Sequence, residues 1–403
     1  MNEKSKIKII KIKNNIENHV KLKEINIKRV YSNYLDRKIQ EFERQAFLNV
    51  ISERITEAQA ELFIIPPKIY ADEINLLAIH WHPEFLPLDL IIRRIDNTFP
   101  NAVNKLIIPT QHNKLMNYDG FTGVEVDCFS PEFNRKVQLL LHFGRLSKSK
   151  SKKLSRIIEH TFNYRSKQLF ELLETLAMQT SNNKIKKAIT VTGVGKEVVD
   201  FVKIQSGKLI TLLNENIKDV PPLAKKNKLV RNYLDELINY YGIKLVKLSQ
   251  IYIKAVKDIV KAEFDNSYFY NTRELIEEAR FLNAGIVIPH PEQFWPILLA
   301  GYDVDGYEVW NPQSREYTEF LMQVVLDQNK TRKYKNRPIL VFMGDDTHLG
   351  EKVRPEVLQD HDKSIREVGV QPAWADPDIQ KILIETKFSK EKLINEYRER
   401  LKQ

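Results

Sequence analysis

The sequence predicts an α/β protein interrupted by a large helical insertion. Two observations carry that reading. Seven short apolar runs, each three to six residues long, fall into two clusters at 76–142 and 286–348. Between the clusters, apolar residues recur at helical spacing instead. The runs are Leu76–Ile79, Leu106–Ile108, Val124–Phe129 and Val137–Leu141, then Ile286–Ile288, Tyr307–Trp310 and Ile339–Met343. Each has a histidine or carboxylate at or beside one end: His80 and His82, His112, Glu125, His142, His290, Glu308, and Asp346 with His348.

The first 71 residues read as a basic extension. Lysine alternates with isoleucine or valine over Lys6–Lys13 and Val20–Lys28, with Asn14, Asn15 and Asn18 between, which predicts a β-hairpin. Residues 30–62 predict a helix, with Leu35, Ile39, Phe42, Phe47, Ile51, Ile55 and Ala58 on one face and Pro66–Pro67 beyond its end. The first strand cluster then occupies 72–145. The insertion, 146–275, opens on a serine–lysine linker. Helices follow over Leu154–Leu176, over Val230–Ile238 with Gly242 as its stop, and over Leu245–Ile259. The second strand cluster occupies 276–375, and a charged helix with a solvent-facing pattern closes the chain at 376–403.

The 403 residues carry a formal net charge of +10, which favours anionic partners such as nucleic acid or a phosphorylated small molecule, although a lysine-rich solvated surface explains the same number. Cys128 is the single cysteine, so no internal disulfide is expected, and a reducing, cytoplasmic location is. No membrane span is expected, and lysines interrupt the apolar residues near the N-terminus, unlike a signal peptide.

The candidate site follows from where the polar ends meet. Side chains alternate along a strand, so the imidazoles of His80 and His82 point the same way, as do Asp346 and His348. Where parallel strands alternate with helices, functional groups gather at the strand C-terminal ends. Glu125 begins its run, but only about seven residues separate that run from Val137, too few for a parallel crossover. An antiparallel pair brings Glu125 back to the same rim. With Asp89, the set is His80, His82, Asp89, His112, Glu125, His142, His290, Asp346 and His348. Imidazoles mixed with carboxylates suit Zn, Mn or Fe, and the set is too large for one ion. Six of the nine histidines lie at predicted strand ends; His19, His160 and His361 read as ordinary surface residues.

These motifs resemble the polymerase-and-histidinol-phosphatase (PHP) family of metal-dependent phosphoesterases. The resemblance rests on His80-Trp81-His82-Pro83 with Asp89, Thr110-Gln111-His112-Asn113, Gly123-Val124-Glu125-Val126, His142, Pro289-His290-Pro291 and Gly344-Asp345-Asp346-Thr347-His348. It covers about 72–145 and 280–350. It implies a distorted seven-stranded β/α barrel, PHP-like, holding two or three divalent metal ions (Zn, Mn or Fe). It assigns His80, His82, Glu125 and Asp346 to one ion, Glu125 as a bridge with His142 and His290 to a second, and Asp89, His112 and His348 to a third. Gln111 and Pro83 depart from the family's usual acidic residue and threonine.

The expected activity is hydrolysis of a phosphomonoester or a nucleic-acid phosphodiester by a metal-bridging hydroxide, with Glu125 and Asp346 as catalytic residues. Lys352 and Arg354 are candidates for gripping a phosphate, against plain surface charge. Glu308 and Asn311 read as contacts behind the ligands. Gly193-Val194-Gly195-Lys196 hints at a phosphate loop but lacks the full spacing. The alternative is a non-catalytic, metal-stabilised barrel whose insertion binds a protein or nucleic-acid partner.

Overall fold

The computed structural model describes residues 35–178, 182–331, 337–386 and 388–402. The hairpin expected over 6–29 lies outside them. The chain divides into two compact units. One joins the described part of Met1–Ala58 to Arg165–Asp265; the other joins Gln59–Tyr164 to Asn266–Gln403.

The first unit is helical. The insertion contributes the C-terminal part of Lys152–Ala177, then Asn183–Thr192, Lys196–Glu215, Lys228–Glu236, Ile238–Tyr241 and Ile243–Glu263. Glu41–Ile51 packs with them, so the helix expected over 30–62 is two pieces in the described residues, the second being Glu57–Phe63, most of which belongs to the other unit. Their apolar stripes form one core containing Phe47, Leu172, Phe201, Tyr233 and Tyr252. Inside it the Glu43 carboxylate accepts hydrogen bonds from Lys208 Nζ (2.7 and 2.8 Å), Gln205 Nε2 (2.8 Å) and Tyr241 Oη (2.7 Å). A buried charge needs that saturation to persist. Gly193, at φ 65°, caps Asn183–Thr192, and Gly195 starts Lys196–Glu215. The suspected phosphate loop is a helix–helix turn.

The second unit holds the strands. Each of the seven apolar runs forms one: β1 (Asn75–Ala78), β3 (Asn104–Ile107), β5 (Phe121–Ser130), β6 (Arg135–Phe143), β7 (Gly285–Ile288), β8 (Gly306–Trp310) and β9 (Leu340–Met343). Three short strands join them: β2 (Trp81–His82), β4 (Met116–Tyr118) and β10 (Thr347–His348). β5 and β6 are antiparallel, as their short connection requires, with Gly123 opposite His142. β6 and β7 are also antiparallel, and β7–β8–β9 are parallel.

The expected closed seven-stranded barrel is not found among the described residues. The ladders form a six-stranded sheet, β4-β5-β6-β7-β8-β9, and two separate pairs, β1-β3 and β10-β2. Isolated links, such as Asp346 N–H to the His80 carbonyl (3.0 Å) and the lone parallel bridge between His112 and Glu125, join the pieces without extending the ladders. The physical reason lies in the backbone. Glu84, Asn113, His290 and Asp346 have φ between 31° and 54°. A left-handed residue cannot continue an extended strand, so pairing stops where the polar residues cluster.

Helices cover the sheet. Leu275, Ile276 and Ala279 of Thr272–Phe281, and Leu321, Met322 and Val325 of Thr318–Thr331, are buried in the same core as the strands. The closing segment forms Pro377–Glu385 and Lys390–Lys402. The second is not solvent-facing: Leu393, Ile394, Tyr397 and Leu401 are buried. It lies close against the sheet, since a Cβ at Gly285 would meet Tyr397 Oη at 2.4 Å and one at Gly144 the Leu401 carbonyl at 2.3 Å. No helix among the described residues is long and apolar enough to cross a membrane.

Candidate metal centre

Seven of the nine expected site residues converge: His80, His82, His112, Glu125, His290, Asp346 and His348. They arrive from separate places: the turns after β1, β3 and β7, strand β2, the middle of β5, and the segment from β9 into β10. Their atoms form three overlapping groups able to hold a metal ion: His82–His112–His348, His80–Glu125–His290, and His80–His82–Asp346.

The spacing discriminates between a hydrogen-bonded cluster and a cation cage. His82 Nε2 is 3.4 Å from Asp346 Oδ1 and 3.6 Å from Glu125 Oε2. His80 Nε2 and His348 Nε2 lie 3.7 and 3.5 Å from Asp346 Oδ1, and His290 Nε2 lies 3.6 Å from Glu125 Oε1. His112 Nδ1 is against Glu125 Oε2. N–H···O bonds peak near about 2.9–3.0 Å. Ligand atoms about 2.1 Å from a tetrahedral ion lie about 3.4 Å from one another. His80 Nε2 and His82 Nε2 are buried and make no hydrogen bond. Such atoms each cost about 1–3 kcal/mol unless something satisfies them, and a divalent cation fits this donor set.

Outer contacts orient the ligands. His80 Nδ1 lies 2.7 Å from Glu308 Oε1, whose other oxygen accepts His290 N–H (2.8 Å) and Asn311 Nδ2 (3.3 Å). His348 Nδ1 faces Glu84 Oε1 at 3.5 Å. In both cases a carboxylate holds Nδ1 and turns Nε2 inward, the usual support for a ligating imidazole. Asp346 Oδ2 accepts from Arg366 (2.9 Å) and Gln313 Nε2 (3.3 Å), leaving Oδ1 to the cage. Each left-handed residue is pinned through its own N–H: Asp346 to His80, His290 to Glu308, Glu84 to Gln111 Oε1 (2.9 Å), Asn113 to Glu125. Strain of about 1–3 kcal/mol per residue persists only under such constraint.

Burial opposes a charge on Glu125 and on Asp346, but neighbouring imidazoles outweigh it and hold both carboxyls well below their usual range. Burial also opposes charge on His80, yet Glu308 outweighs it and lifts His80 to about 10. At His82, burial and the neighbouring imidazoles His112 and His348 outweigh Asp346 and Glu125 and hold the ring well below its ordinary value, in the neutral form that binds metal.

Two expected ligands stand apart. Asp89 is exposed in the first turn of Leu88–Thr98. His142 is buried but turned away: Nδ1 meets Tyr397 Oη at 2.7 Å and Nε2 meets the Ile79 carbonyl at 3.0 Å. Burial pushes it down to about 3, so it stays neutral. Lys352 is bound to Glu367 (2.7 Å) and the Ser364 carbonyl (2.8 Å), and Arg354 lies 3.4 Å from Glu351, so both serve the loop itself. Sequence reasoning missed Glu84, Gln313, Arg366 and Tyr397. None carries a pattern; Gly350 is the nearest signal for Glu84, since a Cβ there would lie 2.1 Å from Glu84 Oε2.

Gly344 makes a similar demand. A Cβ there would lie 1.5 Å from Glu308 Oε1 and 3.2 Å from His80 Nδ1. Gly344→Ala is therefore expected to expel the Glu308 carboxylate from His80 and weaken metal binding about 10–100-fold. A zinc titration giving wild-type affinity would show that Glu308 is dispensable.

No family model matches this sequence, and no curated protein does. Among solved structures, the chain is similar to a Bifidobacterium adolescentis protein described as a putative metal-dependent phosphoesterase. The identity is 16% and the TM-score 0.37, over 76% of this chain and 95% of the other. A likeness that weak carries no argument about this chain, and the functional reading rests on the side chains.

Proposed function

We propose that this protein is a metal-dependent phosphoesterase, hydrolysing a phosphomonoester or a nucleic-acid phosphodiester. The observation that carries this reading is the buried cage of imidazole and carboxylate atoms at ligand–ligand spacing, in which His80 Nε2 and His82 Nε2 make no hydrogen bond. Divalent ions bound there would supply Lewis acidity and make water nucleophilic near neutral pH.

The chain's own residues divide the work. His80, His82 and Glu125 are at most 1% exposed and form the dry floor. The side chains of His290, Asp346, His348 and His112 are 11–24% exposed and mark the open side, where a phosphoester enters. Glu125 and Asp346 stay ionised and balance the cationic charge that hydrolysis of an anionic ester requires. Arg366 fixes Asp346 in one rotamer by binding both its carboxylate and its carbonyl (2.9 and 3.0 Å). The net charge of +10 favours an anionic substrate.

The test is elemental analysis of the purified protein, followed by one panel of phosphomonoesters and labelled oligonucleotides. Metal-dependent turnover, lost on chelation and restored by one metal, is the expected outcome. Metal retained with no turnover of any mono- or diester would replace this reading by a non-catalytic, metal-stabilised module.

A further inference from the structure

We infer that the centre binds two divalent ions, not three, because the converging donors form only two independent groups once Asp89 stands apart and His142 has been withdrawn into a structural lock with Tyr397. The inference rests on the metal-centre reading above and concerns its stoichiometry.

The lock follows from hydrogen-bond bookkeeping at one ring. The Ile79 carbonyl can only accept, so His142 Nε2 carries the proton. Nδ1 is then the acceptor and takes the Tyr397 hydroxyl proton. Neither nitrogen keeps a lone pair for a cation. Both rings are wholly buried, His142 and Tyr397 each at 0% exposure, so no water offers a substitute partner. The close approach of Tyr397 to Gly285, where any Cβ would collide with the hydroxyl, keeps the phenol in place.

The remaining donors divide between two ions. An imidazole nitrogen offers one lone pair, whereas a carboxylate can bridge. His82–His112–His348 and His80–Glu125–His290 share no residue. The third group reuses His80 and His82 and adds only Asp346. Asp346 Oδ1 lies 3.7 Å from His80 Nε2 and 3.4 Å from His82 Nε2, between the two independent groups. Glu125 spans the same gap, with Oε1 toward His290 and Oε2 toward His82 and His112. Glu125 and Asp346 are thus two bridges across one pair of ions. Asp89, exposed on its helix, adds no donor for a third.

The test titrates the full chain, stripped by chelation, with Zn(II) or Mn(II) alone, read by calorimetry and elemental analysis. The expected result is two equivalents. His142→Gln and Tyr397→Phe should each keep two, since neither residue binds metal; Tyr397→Phe removes only a hydroxyl and guards against misfolding of the histidine variant. In the Mn(II) form, electron paramagnetic resonance should show one exchange-coupled pair. A third equivalent in the wild type that is lost in His142→Gln overturns the inference, and so does a single equivalent. Two equivalents without phosphoester turnover would uphold the stoichiometry and sink the enzymatic reading; turnover with three would do the reverse.

Discussion

Glu125→Ala is expected to remove more than one equivalent of metal and to abolish phosphoester hydrolysis. Both carboxylate oxygens face the cage, one toward His290 and the other toward His82 and His112. Losing them therefore opens both metal groups, unlike the loss of any one imidazole. The backbone at 125 survives the change, since its N–H and carbonyl pair with Gln111 and Asn113, so the variant should fold. The loss of bridging charge corresponds to several kcal/mol of transition-state stabilisation, about 1000-fold or more in rate. Elemental analysis checks the first half and initial rates the second. Full metal content in Glu125→Ala would refute the bridging role.

The largest effect on stability is expected far from that site. Asp305 is completely buried under Arg280 (2.6 Å), Arg337 (2.8 Å) and Arg400 (3.2 Å), and also accepts the Ile286 N–H of β7 (2.8 Å). Asp305→Ala removes the one carboxylate shared by all three guanidiniums, leaving Arg280 only Asp303 and Arg400 only Glu396, and strips β7 of a partner. Removing one member of a buried ion cluster costs about 3–5 kcal/mol, visible as a lower urea midpoint. The pH dependence follows. Burial opposes ionisation of Asp305, but Arg280 and Arg337 outweigh it and hold its pKa below the ordinary value. A depressed carboxyl contributes stability above its unfolded pKa of about 3.9 and loses it as pH falls through the folded value. The acid limb of the stability curve should thus be shallower in Asp305→Asn. An identical limb in variant and wild type would assign acid unfolding to other groups.

Much of this architecture was legible before any coordinates. Short apolar runs located β1, β3 and β5 to β9, and the short gap after Phe129 fixed β5 and β6 as antiparallel. The polar ends of those runs located seven of the site residues. What escaped has identifiable causes. Strand period says which face a side chain occupies but not what waits there, so His142 looked like a ligand although its partner lies 255 positions away. Glu84 reaches the centre only because its backbone is left-handed, at φ 54°, which no residue type announces for a glutamate. Barrel closure was inferred from resemblance, whereas the ladders break where the left-handed residues of the site intervene. The buried stripe of Lys390–Lys402 was hidden among charges that make a helix look solvated.

The seating of Lys390–Lys402 on the sheet also has a kinetic side. While the chain is being synthesised, His142 and the glycine-lined groove beside it emerge long before Tyr397 and Leu401. Until those residues follow, the groove is an open apolar trough with an unsatisfied imidazole in its wall. Contacts of such sequence separation are closed late in folding, so the nascent chain passes through an interval in which its half-built sheet is a target for chaperones or for self-association.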